Sequence, residues 1–120
     1  MDHQQRATLA FLCGSLTNIP GRRFSSVYDY SMSTYVSCNY VNNNGNVSVY
    51  DYRRGCYLSG RIPSFYDYGL SSYISLTKIN NNTYNIYDYY TGSYLTAICQ
   101  SQLISIYDYS ESRTFQYLIS

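Results

Sequence analysis

A four-residue word, an aliphatic residue or Phe followed by Tyr-Asp-Tyr, constrains the fold of this 120-residue chain more than any other feature. It occurs five times, beginning at Val27, Val49, Phe65, Ile86 and Ile106. The intervals between the aspartates are 22, 16, 21 and 20 residues. The chain is therefore built from a repeat of about 20 residues, and repeats of this length are single supersecondary units that stack to share a core.

The pattern around each aspartate predicts a β-hairpin. If the aspartate is position zero, apolar residues occupy −2 and +7, and tyrosines occupy −1, +1 and, in four copies, +6. A four-residue turn at +2 to +5 would pair +1 with +6 and zero with +7. Because side chains alternate along a strand, this pairing collects the apolar residues on one face and 14 of the 18 tyrosines on the other.

A longer period groups the hairpins in pairs. Residues 27–44 match 65–82 without a gap, and residues 49–60 match 86–97. The match indicates a superunit of about 40 residues that contains two hairpins.

The amino-terminal segment aligns with half of a hairpin. Residues 11–16 resemble the second strand of the second hairpin, so we predict a strand there. Residues 7–24 would then form a degenerate first half-unit, ahead of five hairpins over 25–120. Asp2 and Gln5 alternatively predict the cap of a short helix.

About eleven short strands predict an all-β meander that forms a single domain over residues 1–120. An open sheet of this size curls, splits or closes, so we predict a barrel first and a pseudo-threefold arrangement of sheets second. An unpaired first strand would leave an open edge, and a homo-oligomer formed through that edge is a further expectation.

Composition argues against several classes of function. Charged residues make up 12% of the chain and the net charge is +1, so we predict no nucleic-acid partner. No apolar run approaches the roughly 18 residues of a membrane span, so we predict no membrane partner. The one histidine stands near the amino terminus, outside any catalytic set, which predicts a protein that is not an enzyme and needs no cofactor.

The four cysteines lack the spacing of a zinc site, so we predict free thiols and no metal. Asp2 and His3 stand where a signal peptide would carry basic residues. The localisation stays open, with the cytoplasm slightly favoured.

The repeated aspartates lie beside the predicted turns, where carboxylates usually accept backbone N–H groups, so we predict turn caps. These residues are Asp29, Asp51, Asp67, Asp88 and Asp108. The alternative is a carboxylate ring on one rim of a closed barrel, holding a cation or a basic side chain of a partner. The basic pairs at 22–23 and 53–54 are interpreted as solvated turn charges.

Two short segments resemble known families. Asn42, Asn44, Asn46, Ser48 and Tyr50 resemble the motif of monocot mannose-binding lectins, which alternates Gln, Asp, Asn, Val and Tyr, although Gln, Asp and Val are missing here. The resemblance implies a sugar-binding strand. The second segment is the hairpin that begins at Val49, which resembles the strand–turn–strand of a WD propeller blade. A chain of 120 residues is too short for a complete propeller of normal blades.

The tyrosine face is the predicted functional surface. A buried face would be structural, whereas an exposed one would bind by stacking and hydrogen bonding. We predict a binding module with a carbohydrate as its first ligand or a protein surface as its partner. The alternative is a self-assembling structural protein joined through tyrosine faces or open edges. The predicted contact residues are Tyr28, Tyr30, Tyr35, Tyr50, Tyr52, Tyr57, Tyr66, Tyr68, Tyr73, Tyr87, Tyr89, Tyr94, Asn44, Asn46 and Asn82.

Overall fold

The computed structural model describes residues 1–18 and 22–120, and these form a closed antiparallel barrel of ten strands around one helix. Each strand pairs with the next in sequence, and the first also pairs with the last. The predicted hairpin meander is confirmed as a barrel, with ten strands instead of eleven. The elements are α1 (His3–Thr17), β1 (Ser26–Asp29), β2 (Thr34–Asn43), β3 (Asn46–Asp51), β4 (Cys56–Arg61), β5 (Ser64–Asp67), β6 (Ser72–Asn80), β7 (Thr83–Asp88), β8 (Ser93–Gln100), β9 (Leu103–Asp108) and β10 (Arg113–Ile119).

Each copy of the repeated word forms one hairpin, from β1–β2 to β9–β10, and its faces are those predicted. The residues at −2 and +7 are buried in all five copies, while the tyrosines at −1, +1 and +6 lie on the outer wall. The predicted pairing is wrong by two residues, since Tyr28 lies opposite Tyr35 and Asp29 lies opposite Thr34. The faces survive this error because a shift of two residues returns every side chain to the same side.

Position +4 explains the pairing. It has a positive φ in every turn, which lets the chain reverse over positions +1 to +4. Glycine adopts this conformation freely, whereas three of the five copies place serine there. The φ values are 51° at Ser33, 67° at Gly55, 51° at Ser71, 71° at Gly92 and 51° at Ser112.

The strand predicted at 11–16 is wrong, because these residues lie within α1. The alternative expectation holds, since the side chain of Asp2 accepts the N–H of Gln5 at 2.8 Å and caps the helix. Residues 19–21 of the predicted half-unit lie outside the described residues.

The helix fills the barrel. Residues 5–15 are all buried, so this central part of α1 has no solvent face. An eight-stranded barrel is just filled by side chains, so ten strands leave additional room that α1 occupies. The fit is close: a Cβ added at Gly14 would lie 2.9 Å from Cδ1 of Ile119 and 3.0 Å from Cδ1 of Ile104.

Closure of the barrel leaves no open edge among the described strands, since Val27 of β1 lies opposite Ile119 of β10. The predicted homo-oligomer stays a prediction, although the strand edge expected to form it is paired in this part of the chain. No helix in residues 1–18 and 22–120 is long and apolar enough to cross a membrane.

The two ends of the barrel differ in chemistry. One end, the Asp rim, carries the five hairpin turns that follow the repeated aspartates, and α1 begins there, with Thr8 bonded to Asp51. The opposite end, the Asn rim, carries the connections between hairpins. The helix ends at the Asn rim, where Nδ2 of Asn18 donates to the carbonyl of Ser101 at 3.0 Å.

We expect Gly55→Ala to lower the free energy of unfolding by about 1 kcal/mol, because an L side chain is strained at positive φ. No other atom lies within 4 Å of a Cβ added at Gly55, so the backbone alone should set the effect. Ser71→Gly, at the same turn position, should be neutral or stabilising. Urea denaturation of both variants checks this, and an unchanged midpoint for Gly55→Ala would contradict it.

Candidate functional site

The outer wall carries a tyrosine cluster on each hairpin. The tyrosine at −1 is the centre, with the tyrosines at +1 and +6 against it, as in Tyr50 with Tyr52 at 4.9 Å and with Tyr57 at 4.7 Å between ring centroids. Most of these pairs meet edge to face, the favoured arrangement of aromatic rings. The fifth hairpin has only Tyr107 and Tyr109, because Thr114 occupies its +6 position.

These clusters are exposed. The tyrosines at +1 and +6 have between 50% and 68% of their surface accessible. All twelve predicted tyrosines therefore lie on the outer wall. The central ones are half-buried and hold the others in place, so they offer less surface than the sequence suggested.

Two grooves built from equivalent positions of the repeat lie between neighbouring clusters. The first, of about 430 Å³, is lined by Tyr57, Tyr68, Ser48 and Ser59. In both grooves the walls are the +6 tyrosine of one hairpin and the +1 tyrosine of the next. The floor is the cross-strand pair at −3 and +8. We call these tyrosine grooves.

The second tyrosine groove, of about 360 Å³, is lined by Asn85, Tyr94, Thr96 and Tyr109, together with Leu95. The two side chains of its floor hydrogen-bond to each other, since Oγ1 of Thr96 donates to Oδ1 of Asn85 at 3.2 Å. The equivalent hydroxyls of Ser48 and Ser59 in the first groove are 3.0 Å apart.

Both tyrosine grooves lie at junctions between hairpins that share one backbone hydrogen bond. The N–H of the +1 tyrosine donates to the carbonyl of the +6 tyrosine at three junctions, in the pairs Tyr68–Tyr57, Tyr89–Tyr73 and Tyr109–Tyr94. At the other two junctions, the N–H of the +1 tyrosine donates to the carbonyl of position +8 instead of +6, as from Tyr52 to Ser37. The junction of Tyr73 and Tyr89 therefore shares the backbone geometry of the two tyrosine grooves.

The predicted asparagines are separated from the tyrosines. Asn44, Asn46 and Asn82 all lie at the Asn rim, in or beside the β2–β3 and β6–β7 turns. The turn between β2 and β3 interrupts the alternation from Asn42 to Tyr50, so these residues do not share one strand face as the lectin resemblance implied.

The predicted turn caps are confirmed. Oδ1 of each repeated aspartate accepts the N–H of position +2, at distances from 2.8 Å for Asp51 to 3.1 Å for Asp88. At Asp29, Asp51 and Asp67 it also accepts the N–H of position +3.

The second carboxylate oxygen connects the turns to the helix, a role the sequence did not reveal. Oδ2 of Asp51 accepts the hydroxyl of Thr8 at 2.6 Å, and Oδ2 of Asp67 accepts the amide of Gln5 at 3.3 Å. Asp108 binds Nη1 of Arg6 at 3.0 Å.

The remaining aspartates lack a helix partner. Asp88 accepts the hydroxyl of Thr91 at 2.8 Å, and Oδ2 of Asp29 has no hydrogen-bond partner among the described residues. The predicted ring is thus held largely by this chain's own side chains. The described residues contain no group of three or more ligands placed for a metal ion.

Hydrogen bonds and neighbouring charges lower the pKa of Asp108 despite its burial. Burial alone would raise it, but the hydrogen bonds from Ser110 and the charges of the terminal amine and Arg6 outweigh burial. Arg6 also stacks on Phe115, with its guanidinium carbon 3.5 Å from the ring centroid.

Arg54 corrects the prediction of a solvated turn charge. Its Nη2 lies 2.8 Å from Oδ1 and 2.9 Å from Oδ2 of Asp67, and its side chain is 8% exposed. Arg53, its neighbour, is exposed as predicted.

All four cysteines are free thiols in the structure. Cys13, Cys38 and Cys99 are buried and Cys56 is half-buried. Burial raises the pKa of each thiol, which disfavours the nucleophilic thiolate.

Comparison of this chain with protein-family models, with curated proteins and with solved structures finds no match. Its candidate sites therefore have to be interpreted from their own geometry.

We expect Arg54→Met to lower the free energy of unfolding by about 3 kcal/mol, because it leaves the buried carboxylate of Asp67 without its charge partner. The double variant Arg54→Met/Asp67→Asn should recover much of the loss, since Asn keeps the acceptor that caps the turn. Denaturation of the single and double variants tests this. Equal losses in the two would show that the ion pair is not the cause.

Proposed function

We propose that this protein is a non-enzymatic binding module and that its ligand is a carbohydrate held in the tyrosine grooves. The observation that carries the proposal is the recurrence of one groove at equivalent repeat positions, with exposed tyrosines as walls and hydroxyl or amide side chains as floor. The rings offer flat faces to the C–H surfaces of a sugar, and the floor offers hydrogen bonds to its hydroxyls.

The edge-to-face packing within each cluster supports this use. A tyrosine held by its neighbour loses little conformational entropy on binding, which favours affinity. Tyr68 is held by Tyr66 at 4.8 Å, and Tyr109 by Tyr107 at 4.7 Å between centroids.

Equivalence of the grooves favours binding over catalysis. A catalytic site assigns different roles to different residues, whereas the two grooves present the same residue classes. Repeated sites on one rigid barrel also favour an extended or branched glycan over a monosaccharide, because several grooves engage it together.

Removal of one wall from each of the two grooves, together with Tyr89 at the junction that shares their backbone geometry, tests the proposal. We expect Tyr68→Ala/Tyr89→Ala/Tyr109→Ala to lose binding on a glycan array, with a drop of about tenfold or more because each stacked ring contributes about 1 kcal/mol or more and several grooves act together.

The matched control is Tyr30→Ala/Tyr52→Ala. These tyrosines occupy the same +1 position, at junctions whose strand pairing is shifted, and should retain binding. The proposal fails if the unaltered protein binds no glycan on a broad array, or if control and groove variants lose binding equally.

The alternative is self-assembly through the tyrosine faces, which is favoured by the exposure of so many aromatic side chains on one wall. It requires no open strand edge. Light scattering should then grow with protein concentration and fall in the triple groove variant. A stable monomer at millimolar concentration would exclude assembly and leave the binding proposal standing.

A further inference from the structure

A third cavity lies away from the tyrosine grooves, at the mouth of the barrel on the Asn rim. It has a volume of about 320 Å³ and opens between the β2–β3 and β6–β7 connections. Its apolar lining includes Leu16 from the last turn of α1, Val47 and Ile62, while Arg61 and Lys78 supply its charges. We call it the rim pocket.

Charge is divided between the two ends of the barrel. The repeated aspartates, Asp2 at the start of α1 and Glu111 in the β9–β10 turn all lie at the Asp rim, and these are all seven acidic side chains of the chain. The basic residues Arg22, Arg23, Arg61 and Lys78 lie at or towards the Asn rim. The rim pocket therefore faces a positive field with no acidic side chain nearby to neutralise it.

Arg61 is held in place by the turn beside it. Its Nε donates to Oδ1 of Asn46 at 3.2 Å, and its Nη2 donates to the carbonyl of Asn44. The guanidinium lies across Gly45, where φ is 90° and an added Cβ would come 2.5 Å from Nη1. Two predicted ligand residues, Asn44 and Asn46, thus serve to position a cation, and Gly45 leaves the space for it.

Neither Arg61 nor Lys78 has an ion-pair partner among residues 1–18 and 22–120. The ion pairs among the described residues involve Arg6, Arg54 and the terminal amine, all at the Asp rim. The end of α1 adds a partial negative charge at this rim, about half an elementary charge and so smaller than the charge of either cation, and the carbonyls of Cys13 and Gly14 accept hydrogen bonds from Thr17 and Asn18.

We propose that the rim pocket binds a small organic anion, with its carboxylate or phosphate group on Arg61 and Lys78 and a short apolar body against Leu16, Val47 and Ile62. A guanidinium fork suits both anions, and its fixed orientation reduces the entropy lost on binding. The volume suits a ligand at the small end of the range for protein pockets. This site is independent of the tyrosine grooves.

Nuclear magnetic resonance titrations of the full chain with hexanoate, hexyl phosphate and hexanol separate charge from the apolar body. We expect at least one of the two anions to cause saturable shifts of the amides of Gly45, Val47 and Tyr84, and hexanol to bind at least about tenfold more weakly. Added salt should weaken anion binding. Equal binding of hexanol, or no saturable shift with either anion, would overturn the proposal.

Charge-removing variants locate the site. Lys78→Gln and Arg61→Gln should each weaken binding of the anion about tenfold, the effect of losing one charged hydrogen bond. Arg53→Gln removes the same charge from the opposite rim and should bind like the unaltered protein. Lys78 is exposed, so its variant tests the site even if Arg61→Gln disturbs the turn. Equal weakening by Arg53→Gln would overturn the proposal.

Discussion

In three of the five hairpins, the buried carboxylate at the end of the first strand connects the turn and the barrel wall to the helix. Its Oδ1 closes the turn, and its Oδ2 reaches the helix in the hairpins of Asp51, Asp67 and Asp108. A buried charge without partners would cost several kcal/mol, so turn, barrel and helix depend on one another. The helix supplies both the core of the barrel and partners for three of its five repeated aspartates.

This arrangement gives the two rims and the outer wall of the barrel different surface chemistry. Acidic groups gather at the Asp rim, where the five repeated aspartates are buried and Asp2 and Glu111 are exposed. They lie at the opposite end of the barrel and so contribute little to the field at the Asn rim. The outer wall is left neutral and aromatic, and the Asn rim is left basic. The two candidate sites follow from this division, since stacking suits uncharged ligands and the rim pocket suits anions.

The hairpins, their core positions, the tyrosine wall and the aspartate caps could be predicted from the sequence, because each depends on neighbours within about ten residues. The helix could not. Because its central residues are buried on all sides, the sequence of α1 has no amphipathic pattern, and its short apolar run is equally compatible with a strand. Only the Asp2 cap pointed to a helix.

Other errors have equally local causes. The pairing of the two strands within each hairpin was predicted with an error of two residues. The reason is that serine, which rarely adopts a positive φ, occupies position +4 in three hairpins. Arg54 was taken for a solvated charge because its partner, Asp67, belongs to the next hairpin.

The sequence by itself determined which side chains face inward and which face outward, since a period of two is a property of the strand alone. It also determined the turn caps, which act over two or three residues. Only the tertiary structure decided the closure of the barrel, the helix within it and the pairing between hairpins. These set the tyrosine grooves and the rim pocket, because each brings together residues from elements that no local pattern relates.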